Sequence, residues 1–166
     1  VAAVERDRRC VDALGDLARA YSGRLRVIAG DALEIDLSRL VPPPRRIVAN
    51  LPYNIATPLL LGWLRQIGEY QSLTCMFQKE VGVRLAAAPG AKAYGRLSVA
   101  VQWLCEVRHE FNVAKDAFVP PPKVAGSVLT LTPRPAPLAA ARWEALEAVT
   151  AAAFGQRRKM LRSSLK

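Results

Sequence analysis

Histidine is almost missing from this chain: His109 is the only one in 166 residues. That excludes a two-histidine metal centre and leaves His109 to a solvated strand position. Cysteine is scarce as well. Cys10, Cys75 and Cys105 are odd in number and scattered without ligand spacing, so no metal is expected, and they read as reduced, buried thiols of a cytoplasmic protein. No signal peptide, apolar run of membrane length or internal repeat appears within these residues. Acidic residues are few. Fourteen Asp and Glu stand against 24 Lys and Arg, a net charge of +10, which points to a polyanionic partner such as RNA rather than a membrane. The length is enough to bury a single core.

What is present is organised around Ile47-Val48-Ala49, a short apolar run ending in Asn50-Leu51-Pro52-Tyr53. The run reads as a buried parallel strand, and open α/β sheets hold ligands at such strand ends. Pro52 fixes its own φ and pushes Leu51 out of the α region, so the turn is stiff and the Leu51 carbonyl is left free. The exocyclic amine of adenine suits this corner. Its nitrogen lone pair is delocalised into the ring; accepting its two N–H bonds with the Asn50 oxygen and the Leu51 carbonyl would hold it nearer sp³ geometry, aimed at an incoming methyl group. Tyr53 would stack on the base for about 1–3 kcal/mol. The alternative is an ordinary strand-to-helix turn, with Asn50 bonded to backbone and Tyr53 in the core.

Two upstream strands also end in acids. Val1 to Val4 runs into Glu5, and an acid in that place in a dinucleotide-type fold accepts the ribose hydroxyls of a nucleoside. The alternative for Glu5 is a surface carboxylate paired with Arg6 or Arg9. Leu25 to Ala29 is followed by Gly30-Asp31-Ala32-Leu33, where Asp31 can accept adenine amino hydrogens with Ala32 and Leu33 beside the ring; the alternative is an N-cap for a turn near Ile35 to Leu40. Between the two strands, Val11, Leu14, Leu17, Ala18 and Tyr21 predict an amphipathic helix from about Arg8 to Ala20.

Downstream, Ile55 to Ile67 predicts a helix, Leu73 to Phe77 a strand, and Lys79 to Ala87 a helix offering Val81, Val83 and Leu85 for packing. Ala88 to Tyr94 reads as a loop, and Arg96 to Leu104 as a helix. Val107 to Val113 and Gly126 to Thr132 alternate and should pair antiparallel. Between them lies Phe118-Val119-Pro120-Pro121-Pro122-Lys123-Val124, an extended loop in which Phe118 either covers a bound base opposite Tyr53 or plugs the core, and Lys123 meets phosphate. Leu138 to Phe154 predicts an alanine-rich helix. Arg157, Arg158, Lys159, Arg162 and Lys166 then crowd the end of the chain, where Met160 and Leu161 packed among the cations favour an RNA-facing helix over a solvated tail.

Asn50-Leu51-Pro52-Tyr53-Asn54-Ile55, Gln78-Lys79-Glu80-Val81, Lys92 to Val99, the Phe118 to Val124 loop and Phe154-Gly155-Gln156-Arg157-Arg158-Lys159 together resemble the KsgA-type ribosomal-RNA adenine dimethyltransferases, in order and nearly end to end. The resemblance implies an α/β, Rossmann-like sheet that uses S-adenosylmethionine, over residues 1–134, followed at 135–166 by the start of a small helical RNA-binding domain. It implies dimethylation of N6 on two adjacent adenines near the 3′ end of small-subunit (16S) ribosomal RNA during subunit assembly, by a cytoplasmic monomer. Glu5 would bind the cofactor ribose, Asp31 and Ala32 its adenine, and Asn50 both cofactor and target amine. Leu51 and Pro52 would complete the catalytic turn, Tyr53 and Phe118 would sandwich a flipped base, and Lys123, Arg157, Arg158, Lys159 and Arg162 would meet RNA.

Family members begin with a further strand and a glycine-rich loop that precede anything seen here. That strand is expected centrally, between the strands ending at Glu5 and Asn50, so the sequence reads as a piece of a longer protein, weak or inactive alone. Two rival functions stand beside this one: a large-subunit ribosomal-RNA methyltransferase conferring antibiotic resistance, and a noncatalytic RNA-binding assembly factor.

Overall fold

A computed structural model describes residues 1–156 and 159–165. The chain runs β1 (Ala2–Glu5), α1 (Arg8–Ala20), β2 (Arg26–Ala29), β3 (Arg46–Asn50), α2 (Ala56–Arg65), β4 (Ser72–Gln78), α3 (Lys79–Ala86), α4 (Arg96–Leu104), β5 (Cys105–Val113), β6 (Gly126–Pro133), α5 (Trp143–Gly155) and α6 (Leu161–Ser164). Each element predicted from residue pattern is present. Pro58 lies in the first turn of α2, where its missing N–H breaks no helical bond. Asp7 caps α1 by accepting from the Arg9 amide at 2.9 Å.

The strands form two sheets. β1 and β2 pair in parallel, and β3-β4-β6-β5 form a mixed sheet in which β3 and β4 are parallel and β6 is antiparallel to both neighbours. Among the described residues no ladder joins the two sheets: β1 is paired only on its β2 side and β3 only on its β4 side. These are the edges between which the family resemblance expects a further strand. Val48, in the middle of β3, is 82% exposed.

The buried core begins at Leu51. β4 supplies Leu73, Cys75 and Phe77 to it, α2 supplies Leu59, Leu60, Trp63 and Leu64, and Leu85, Val101, Leu129 and Leu131 close it. Before Leu51 only Ala32, Leu37, Ile47 and Ala49 pack against this cluster. α1 has the predicted apolar stripe, yet none of its residues is buried.

Several expectations are corrected. Cys10 is exposed on α1, a helix with no fully buried residue; Cys75 and Cys105 are buried as expected. Val83 is half exposed, since α3 approaches the sheet through Gly82 and Leu85 instead. The alanine-rich helix starts at Trp143, not Leu138. Residues before it are drawn into extended contact with the end of α4: the amides of Arg134 and Leu138 donate to the Leu104 and Trp103 carbonyls at 2.8 and 2.9 Å, and Trp103 Nε1 donates to the Ala139 carbonyl at 2.7 Å. Met160 and Leu161 are exposed rather than packed.

Candidate functional site

β3 ends at Asn50, whose backbone is still in register with Met76 of β4. The next residue turns inward: Leu51 is buried in the core while Pro52 and Asn54 stay outside. Burial of Leu51 and the fixed φ of Pro52 hold the turn from both sides. The Pro52 carbonyl accepts from the Ile55 amide at 3.1 Å, leading into α2. Neither the Asn50 side chain nor the Leu51 carbonyl has a hydrogen-bond partner among the described residues. The alternative in which Asn50 is tied to the turn is therefore not what forms. Tyr53 is half-buried and stands outside the core cluster, as does Phe118.

Phe118 follows a short turn at Lys115–Ala117 beyond β5. The loop it belongs to starts after Val113 and ends at Gly126, which pair with each other. Gly126 also pairs with Gln78 at the end of β4. The loop thus emerges at the end of the sheet where Asn50 lies. Lys123 is exposed on it.

Glu5 and Asp31 are brought together. Glu5 pairs with Ala29 at the end of the β1–β2 ladder, and the Gly30 amide donates to the Glu5 carbonyl at 2.9 Å. Glu5 Oε1 accepts from the Arg6 and Asp7 amides at 2.7 and 2.8 Å, so one carboxylate oxygen shapes the turn. The alternative pairing of Glu5 with Arg6 or Arg9 does not form: Arg6 reaches Asp31 and Arg9 reaches Asp7. Asp31 Oδ1 accepts from the Leu33 amide at 2.9 Å, an Asx turn, and the cap of the next short helix is Asp36 instead. A Cβ at Gly30 would lie 2.6 Å from Ile35 Cδ1, so the end of that side chain would have to turn aside. Ala32 is half-buried beside it and touches the core cluster.

Of the basic residues proposed for RNA, Lys159 and Arg162 are exposed at the end of the chain. Arg157, Arg158 and Lys166 lie outside the described residues. Among the described residues no group of three or more His, Cys, Asp or Glu could hold a metal ion, and no helix is long and apolar enough to cross a membrane.

Two cavities among the described residues bear on the site. The larger, about 770 Å³, is lined by Asp36, Arg39, Arg65, Glu69, Trp103 and Trp143 among others. Its residues come from the segments that lead into β3, β4 and β5 and from the start of α5, so it lies at the opposite end of the sheet from Asn50. The smaller, about 350 Å³, lies between α3 and β5 and includes Lys79, His109 and Asn112. His109 is exposed on β5, the solvated strand position expected of it; its grouping with Lys79 and Asn112 is not legible in the sequence.

The whole chain, residues 1–166, matches the family model described as ribosomal RNA adenine dimethylase. The chain belongs to this family. It is 61% identical over 166 residues to the ribosomal RNA small subunit methyltransferase A of Rhodospirillum rubrum, a match covering 100% of this chain and 58% of the relative. The structure of a dimethyladenosine transferase from Plasmodium falciparum superposes with a TM-score of 0.82 at 26% identity, covering 99% of this chain and 58% of that one. The 23S rRNA methyltransferase ErmE superposes with a TM-score of 0.76 at 25% identity, covering 99% and 65%. The fold is thus the α/β Rossmann-like methyltransferase fold of these structures, and the chain spans a little under two thirds of the relatives it matches.

Proposed function

We propose that the protein to which this chain belongs transfers methyl groups from S-adenosylmethionine to N6 of two adjacent adenines near the 3′ end of small-subunit ribosomal RNA, in the cytoplasm during subunit assembly. The observation that carries this reading is the pair of uncommitted acceptors at Asn50 and Leu51, on a turn held by a buried leucine and a proline. The amine of a flipped adenine has two hydrogens to give, and its base can stack between Tyr53 and Phe118.

The cofactor's donor requirements fit the β1–β2 end. Among the described residues Glu5 Oε2 has no hydrogen-bond partner while Oε1 is anchored, which leaves an acceptor for a ribose diol. Asp31 beside it can take adenine amino hydrogens, with Ala32 flanking the ring. When bound, S-adenosylmethionine supplies an electrophilic methyl on a sulfonium. The residues of this chain then do the orienting: Asn50 and Leu51 fix the amine, and Tyr53 and Phe118 fix the base plane. Such positioning lowers a barrier by at most about 7–11 kcal/mol. No strong base is needed at the amine, whose proton is lost to solvent after transfer.

Lys123, Arg157, Arg158, Lys159 and Arg162 would hold the RNA backbone, as the net charge of +10 favours. The 61% identity to a small-subunit enzyme supports that substrate over the large-subunit one. The test is methyl transfer by the full-length protein, acting as a monomer, to defined small- and large-subunit RNAs and to immature small subunits. Dimethyladenine in the small-subunit substrates alone is expected. Transfer only to large-subunit RNA would favour the resistance-type reading, and RNA binding without any cofactor binding in calorimetry would favour an assembly factor.

A further inference from the structure

β5 is the outer strand of its sheet, and its pairing with β6 is irregular. His109 pairs with Leu129, but Phe111 pairs with the adjacent Val128, so Glu110 is an extra residue, a β-bulge. Residues three apart in a regular strand point to opposite faces. The bulge cancels that rule: Asn112 pairs with Ser127 and His109 with Leu129, and Ser127 and Leu129 both face α3, packing where a Cβ on Gly82 would fall. His109 and Asn112 are thereby turned to one face, with His109 Nε2 and Asn112 Oδ1 3.2 Å apart. Bulges of this kind re-aim side chains beside functional sites.

The pair borders the smaller cavity, about 350 Å³, within the range of small-ligand sites of about 300–1,000 Å³. Its opposite wall is made of Gly82, Val83, Ala86, Ala87, Ala91 and Ala93, mostly small apolar groups against which a planar ring can lie. Lys79 stands at its rim, exposed and without an ion pair among the described residues. The Lys79 amide donates to the Ala125 carbonyl at 2.9 Å, which ties the cavity to the loop carrying Phe118. Lys79 follows Gln78, two residues beyond Met76, the partner of Asn50. The cavity is therefore at the adenine-corner end of the sheet, and β5 lies three strand spacings from β3, about 14–15 Å.

We infer that this cavity is a subsite for a second nucleotide of the RNA, a few positions along the strand from the methylated adenine. With Nε2 of His109 donating to Asn112 Oδ1, His109 Nδ1 is an acceptor and Asn112 Nδ2 a donor, a pair that matches a base edge. The base lies against the alanine wall, and Lys79 takes a phosphate. This rests on the proposed RNA methyltransferase reading.

The test uses the full-length protein and a single-stranded oligoribonucleotide holding the two adenines and their flanks, together with copies made abasic at one flanking position at a time. The double variant His109→Ala/Asn112→Ala should raise KM for the RNA about tenfold, with the larger share of the loss in KM rather than kcat. One abasic position should weaken binding to the wild-type protein and make no further difference to that variant. Lys79→Ala should lower the slope of log affinity against log salt by about one. Urea midpoints close to wild type would show that these exposed positions act on RNA and not on the fold. Methyl transfer with unchanged KM, salt slope and abasic response in the variants overturns the subsite while leaving the methyltransferase reading intact. A wild-type protein that binds cofactor or RNA but transfers no methyl group removes both.

Discussion

The Arg6 guanidinium lies 3.0 Å from Asp31 Oδ2 and so bridges the ends of β1 and β2, two residues drawn from positions 25 apart in the chain. Arg6 is largely exposed, and such pairs contribute about 0–1 kcal/mol to folding. The bridge therefore competes weakly for a carboxylate that the cofactor's adenine would use.

Arg6→Ala should change S-adenosylmethionine affinity by no more than a few-fold in calorimetry on the full-length protein. Glu5→Ala should weaken it about tenfold or more, since a charge-assisted hydrogen bond is worth about 1.5–3 kcal/mol. Equal affinity in Glu5→Ala and wild type would count against the ribose assignment.

Asn50→Ala removes one of two acceptors and nothing from the core, since Asn50 is exposed. Methyl transfer should fall at least a hundredfold, with RNA affinity nearly intact and the melting temperature unchanged, because a preorganised polar contact of this kind is worth about 2.7–4 kcal/mol. Unaltered turnover would remove the amine-holding role.

Gly82 is where α3 touches the sheet. A Cβ there would come within 2.8 Å of Ser127 Cβ and 2.9 Å of Leu129 Cδ1. Gly82→Ala should cost about 1–3 kcal/mol in urea unfolding, the range for overpacked cores, and no loss would show that α3 shifts freely.

Burial pushes the thiols of Cys75 and Cys105 from the ordinary 9.0 up to about 12, and it also raises Tyr70 above 10.0. The folded state thus holds these protons more tightly than the unfolded state. Stability from this source is complete below about pH 9 and is lost as pH rises toward 12. Urea midpoints should fall over that window. At pH 8 a thiol reagent should modify exposed Cys10 quickly and the other two only on unfolding.

Much of the fold was legible because its signals are local. Apolar runs marked β3 and β4, helical spacing marked α1 and α2, and the alternation of Val107 to Val113 marked β5. The corner at Asn50 was legible because proline restricts two consecutive residues. Other features depend on pairing, which a single sequence does not display. Nothing in Val107 to Val113 announces an extra residue at Glu110, so the meeting of His109 with Asn112 went unseen. The exposure of Cys10 and Val83 was equally hidden, since it turns on which helix face has a neighbour. The late start of α5 reflects hydrogen bonds to α4 that no propensity encodes.

Those bonds have a consequence for how far apart the ends of the molecule sit. The proline-rich stretch after β6 has the composition of a swivel, yet it is stitched to α4, and α5 is pinned by Trp143 against Trp103 and by Arg65, which lies over Trp143 and pairs with Glu147. The helix that leads to the cationic tail therefore leaves the sheet at a preset bearing. If the tail and the Asn50 corner hold RNA as proposed, such a body would work as a caliper, engaging only where the two bound segments of the polyanion lie one fixed span apart.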